Sequence, residues 1–290
     1  MERYQRERLS LSSEGGIGMT ITYILQVLHQ VEAGNTEDAS HIADMNGELQ
    51  KAIRRVKRSV IRLRNRAQYE LGEMDRAKVA STSGHMEHFT KACEKIQHFN
   101  LGECKGLAGI EKFLEEGFKV DEMIARADKI ASLSSLGAGA FSPMELGFGI
   151  LEPFATLPSI SIDNNKFLSM DKDYARTLIA DITAYQNKVR ELTTNLIEIA
   201  EKARDEADCL SALTDYFIDG IDDLEAILDR KGIDWTFYSQ PEKMQIARAV
   251  QVAQLITLLF PHLLDENGHV SEESERAIQL AKQELSFRDA

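Results

Sequence analysis

Cysteine, proline and tryptophan are scarce in this chain, at three, five and one in 290 residues. So few cysteines exclude a disulfide scaffold, and Cys93, Cys104 and Cys209 cannot all pair within one chain. Three thiols in a chain of this length suit a reducing compartment, so the expected location is the cytoplasm. With five prolines and 18 glycines, collagen-like and low-complexity classes are excluded as well. Basic residues are the minority: 34 Lys plus Arg face 47 Asp plus Glu, a formal charge of −13. The surface as a whole therefore repels nucleic acid and anionic lipid, and any such contact has to be local. Chemical signatures are missing too. There is no glycine-rich phosphate loop after a strand, no nucleophile elbow and no His-Glu-x-x-His. Carboxylates four apart, such as Asp219 and Asp223, lack the facing Glu-x-x-His set of a di-iron site. No catalytic residue, cofactor or small-molecule substrate is expected.

What is present is helical periodicity. Among Met1 to Gly18, Arg3, Arg6 and Arg8 alternate with Glu2, Glu7 and Glu14. A secretion signal over Met19 to Leu28 is diluted by Thr20, Thr22, Gln26 and His29. Ile21, Ile24, Leu25, Leu28 and Val31 instead define one face of a short helix. From Asn35 or Thr36, with Glu37 and Asp38 in the first turn, Ile42, Leu49, Ile53, Val56, Val60, Ala67, Leu71 and Met74 recur at spacings of three and four. This seam predicts a helix toward Gln97, with a break or kink at Ser81-Thr82-Ser83-Gly84. A longer run, Leu178, Ile182, Tyr185, Leu192, Leu196, Ile199, Leu210, Leu213, Phe217, Ile221 and Leu224, predicts one helix from about Asp171 to Arg230, ~90 Å at 1.5 Å per residue, stopped at Gly232. A third stretch, Leu101 to Leu133, is loosened by glycines. Ser239-Gln240-Pro241-Glu242 reads as a capping box opening a helix that ends before Pro261. A last helix follows Ser271 to about Phe287. With no alternating strand pattern, the expected fold is all-α.

Residues 51 to 66 hold Lys51, Arg54, Arg55, Lys57, Arg58, Arg62, Arg64 and Arg66 and no acid, whereas residues 205 to 229 hold nine acids and no base. An antiparallel hairpin would bring these blocks together, and a parallel pair would leave both exposed. The antiparallel arrangement is expected, as an argument about register because exposed ion pairs are worth only ~0 to 1 kcal/mol each. The resulting picture is an elongated bundle built on a long antiparallel coiled-coil hairpin, with a shorter helical head and two C-terminal helices. Its divisions are 1–34, 35–232 and 233–290. A basic patch that recognises nucleic acid or phospholipid would need arginines without intramolecular partners.

Two apolar features stand out. Ala131 to Ile162 carries only Glu145 and Glu152 in 32 residues, and its prolines and glycines forbid a continuous spanning helix. Leu136, Phe141, Met144, Leu146, Phe148, Ile150, Leu151 and Phe154 make it a packed cap, a docking surface or a membrane-seeking tongue. Ile246 to Leu264 has one formal charge, Arg248, and reads as a buried helix or an interface through Val252, Leu255 and Leu259. His85, His88, Cys93, His98 and Cys104 do not converge from one helix, so a metal is not expected there. Asp265 to Glu273 lacks the glycine of a calcium loop and reads as a capped loop.

The plan over Asn35 to Arg230, two long helices around a glycine-rich apolar insert, resembles the α-helical pore-forming toxins and implies membrane contact as the alternative function. The length, the opening Arg3-Tyr4-Gln5-Arg6-Glu7 and the all-helical pattern resemble the uncharacterised enterobacterial YjcZ-like proteins. That resemblance implies a dynamin-like GTPase as a partner. The favoured expectation is a non-enzymatic cytoplasmic scaffold or adaptor that acts by self-association or protein binding, with membrane contact not favoured and nucleic acid disfavoured.

Overall fold

A computed structural model describes residues 15–33, 42–82, 84–104, 125, 172–265 and 267–288. The described residues form α1 (Gly15–Glu32), α2 (Ile42–Thr82), α3 (His85–Glu94), α4 (Lys172–Lys231), α5 (Gln240–Leu258) and α6 (Glu272–Arg288), with two short 3-10 turns. No strand occurs among them, and only two isolated bridges, Gln97 with Asp234 and Leu264 with Val270, show extended pairing. The all-α expectation holds.

The chain divides into two compact units, residues 1–65 with 152–196 and residues 66–151 with 197–290. The division cuts through α2 and α4, because a helix longer than one core passes from one apolar cluster into the next. In the first unit, α1 buries Ile21, Ile24, Val27, Leu28 and Val31, α2 buries Leu49, Ala52, Ile53, Val56 and Val60, and α4 buries Ala175, Leu178, Ile182, Tyr185, Leu192 and Leu196. These are the stripes that three-and-four spacing placed on one face. Arg176 on α4 reaches Glu32 at the end of α1, at 3.0 Å.

The second unit is built on the remaining length of α4, which is 60 residues long. Gly220, its only glycine, sits where α5 crosses. A Cβ there would stand 2.9 Å from the Ala249 Cβ, so close approach of the two helices requires glycine. From Ile246 to Thr257, α5 is buried at every residue except Arg248. α6 lies on α4 through Lys282–Asp205 at 2.7 Å and Lys202–Glu275, and on α5 through Gln251–Glu284 at 2.9 Å. The C-terminal pair thus packs on the part of the long helix that belongs to this unit.

Local signals explain the element ends. Ser81 bonds its hydroxyl back to the Lys78 carbonyl, and Gly84 adopts φ +82, a left-handed conformation that interrupts the helix before α3. Gly232, at φ +77, stops α4. At the start of α5, the Ser239 N–H and hydroxyl both donate to Glu242 at 2.7 Å, and Pro241 lies in the first turn. The stretch from Leu101 begins as a 3-10 turn, Leu101–Glu103, capped by Asn100. Residues 105–133, where its helix was expected to continue, lie outside the described residues except for residue 125.

One expectation is overturned. In the second unit Lys78 meets Glu206 at 2.7 Å, Phe89 meets Phe217 with ring centroids 5.2 Å apart, and Gln97 exchanges backbone hydrogen bonds with Ile233 and Trp235. Residue numbers rise together on both sides, so α2 and α3 run parallel to α4 and the antiparallel hairpin is wrong. Residues 51 to 65 accordingly belong to the first unit and the acidic block 205 to 229 to the second. Lys78 and Glu206 are almost wholly removed from solvent, and an arrangement that separated them would strand each charge in an apolar interior, a cost well above the small return of exposed ion pairs.

Lys78→Met leaves the Glu206 carboxylate alone in an apolar interior and should cost about 3–5 kcal/mol in urea unfolding. The double variant Lys78→Met/Glu206→Leu should recover most of that loss, and equal losses in both would refute a role in register. The Glu242 carboxyl is held down at about 2 against an ordinary 4.5, chiefly by the Ser239 N–H and hydroxyl and also by Arg230. A depressed carboxyl stabilises the fold above its unfolded value and loses that contribution as pH falls from 4.5 toward 2. Glu242→Gln should therefore flatten the acid limb of a melting-temperature profile between those values.

Candidate functional site

The residues of interest lie on α2 in the first unit. At 100° per residue, Lys51, Arg54, Arg55, Arg58 and Arg62 fall within an arc of about 100° and span about 17 Å along the axis. All five are exposed, while Leu49, Ala52, Ile53, Val56, Ser59 and Val60 fill the opposite face. The amphipathic pattern that buries α2 therefore also aligns its cations outward.

The expected eight-residue patch is thus divided. Lys57 is exposed but falls on the flank, and Arg64 is half-buried with its Nε lacking a hydrogen-bond acceptor. Arg66 opens the second unit. Within the stripe, Lys51 pairs with Glu48 at 2.8 Å and holds that carboxyl below its usual range. Arg54 Nε donates to the Gln50 carbonyl and Arg58 Nε to the Arg54 carbonyl, both contacts within their own helix. Among the described residues, Arg54, Arg55, Arg58 and Arg62 form no ion pair. Four guanidinium groups with planar, forked donors are left facing outward, a chemistry that suits carboxylate or phosphate.

The apolar candidates fare differently. Val252, Leu255 and Leu259 are 1%, 3% and 2% exposed, so they belong to the core of the second unit and present no outward docking face. Leu136, Phe141, Met144, Leu146, Phe148, Ile150, Leu151 and Phe154 lie outside the described residues.

The cysteines and histidines of the metal test are separated by burial. Cys93 and Cys104 are buried, His88 and His98 are exposed and His85 is half-buried. Desolvation pushes the Cys93 thiol up to about 12 and the Cys209 thiol to about 11. Such thiols stay protonated and are poor nucleophiles. Among the described residues, no group of three or more His, Cys, Asp or Glu is placed to hold a metal ion. The Asp265 loop is a tight turn in which Asp265 Oδ1 accepts the Asn267 and His269 N–H groups at 2.8 and 2.9 Å, a side-chain cap on its own backbone.

Sequence reading missed a surface cleft of about 350 Å³ in the second unit, lined by Gly84, His85, His88, Ile218, Ile221, Asp222 and Glu225. Its walls come from segments more than a hundred residues apart in the chain, so no local pattern announces it.

Among the described residues no helix is long and apolar enough to cross a membrane. Compared with family models, curated proteins and solved structures, the chain matches none.

If the stripe carries no structural duty, Arg55→Ala, Arg58→Ala and Arg62→Ala should each change unfolding stability by no more than about 0.5 kcal/mol. A loss several times larger would assign the arginines to the fold instead of to a partner.

Proposed function

We propose that the chain is a non-enzymatic helical scaffold or adaptor of the cytoplasm that binds another protein, and that the α2 stripe is its contact. Support comes from one observation: Arg54, Arg55, Arg58 and Arg62 are exposed on one face and form no ion pair with a described acid. Arginine fits carboxylates in pairs, and a rigid helix presents four of them without the ordering cost of a loop. A partner with an exposed acidic surface is the matching chemistry. The reducing location is in keeping with three free, buried cysteines. The YjcZ-like resemblance adds a dynamin-like GTPase as one candidate partner, and the reading does not require it.

Binding of a fluorescent poly-glutamate peptide to the purified chain, followed by anisotropy, tests this reading against its competitors. Affinity should fall about tenfold or more in Arg54→Glu/Arg58→Glu/Arg62→Glu and decline steeply with added salt. Duplex DNA and phosphatidylcholine vesicles carrying phosphatidylserine serve as the other probes. Stripe-dependent binding to either of those, with none to the acidic peptide, would replace the adaptor with a nucleic-acid or membrane-surface protein.

A further inference from the structure

We infer that the occupant of the α2 stripe is a second copy of this chain, seated through an acidic stripe on α4. The inference rests on the adaptor reading and deepens it by naming the partner.

The second unit carries the complement. Asp208, Asp215, Asp219, Asp222, Asp223, Glu225 and Asp229 are all exposed on α4. Asp208 is engaged by Arg204 at 3.7 Å, and Asp223 accepts from Gln245 at 3.4 Å. Asp215, Asp219, Asp222 and Asp229 form no ion pair among the described residues. At 100° and 1.5 Å per residue these four fall within an arc of about 80° and span about 21 Å, against about 100° and 17 Å for the basic stripe. Each chain therefore exposes two straight, helix-borne stripes of opposite sign and similar length.

Had the helices been antiparallel, the two blocks would have neutralised each other within one molecule. The four acids and the four arginines are each exposed on their own helix and form no ion pair among the described residues, so both stripes are open to another molecule. The net charge of −13 sets copies against one another at long range. At physiological salt the screening length is about 8 Å, so distant charges fade while stripes in contact still attract. Local complementarity of this kind fixes orientation and register. Pairing unlike stripes is heterologous unless two copies close on each other, so the product is either a two-fold dimer or a longer row.

Sedimentation velocity on the full chain tests this with four samples: wild type, the base-reversed Arg54→Glu/Arg58→Glu/Arg62→Glu, the acid-reversed Asp215→Lys/Asp219→Lys/Asp222→Lys, and an equimolar mixture of the two variants. Wild type should show at least twice the single-chain mass at low salt and fall to the single-chain mass at about 500 mM salt, where screening acts within about 4 Å. Each reversed variant alone should sediment as a single chain, and the mixture should regain the complex. Restoration in the mixture also shows that both variants are folded. A wild type that stays single-chain at low salt overturns the inference, as does association that survives both reversals. In the first case the poly-glutamate peptide separates the two levels: retained stripe-dependent binding keeps the adaptor reading while the second copy is lost, and absent binding removes both.

Discussion

Lys78 and Glu206 meet at 2.7 Å in the interior of the second unit, and both are nearly inaccessible to water. Burial pushes the Glu206 carboxyl up, and the Lys78 ammonium opposes that shift. Two charges taken out of water return their desolvation cost only when each stays in contact with the other. Sliding α2 along α4 by one turn, about 5.4 Å, would strand both. The pair therefore penalises any other alignment of α2 against α4 in this unit. Lys78 also donates to the Pro261 carbonyl at 3.1 Å, which ties the end of α5 to the same point.

From that register the rest of the second unit follows in sequence order. Eleven residues beyond Lys78, Phe89 finds Phe217, eleven residues beyond Glu206. Farther along, Gln97 pairs with Asp234, and Trp235 is enclosed by Phe99 and Tyr238 with ring centroids at 4.8 and 5.7 Å. Lys243 places its ammonium 5.4 Å from the Trp235 ring and pairs with Glu103. Gly220 sets the height at which α5 crosses. The parallel arrangement keeps the buried pair together, while the conspicuous charge blocks stay on exposed faces of α2 and α4. The surface character of the protein is thus a by-product of how its interior is satisfied.

Much of this was legible in the chain because it depends on neighbours three or four residues away. The ends of α4 lie within a residue or so of those read from periodicity, since the run has no proline and Gly232 can take the positive φ that ends it. The break after Thr82 was legible from weak helix formers beside Gly84, and the start of α5 from Ser239, Pro241 and Glu242. Val252, Leu255 and Leu259 were read as a buried helix or an interface, and only their burial in the second unit decides between the two, because composition alone does not tell a buried helix from an apolar surface. The basic stripe was visible as a block of eight. Only the helix geometry separates Arg54, Arg55, Arg58 and Arg62 from Lys57 and Arg64.

The direction in which the long helices run was not legible, and the reason is physical. Charge blocks on exposed faces are conspicuous in a sequence but weak in water, whereas Lys78 and Glu206 are single letters whose weight comes from being dry. Helix content, helix limits, caps and the apolar seams follow from short-range chemistry that the amino-acid order carries within itself. Which seams meet and which charges are sealed inside depend on residues more than a hundred positions apart sharing one low-dielectric space. That is known only once the chain is folded.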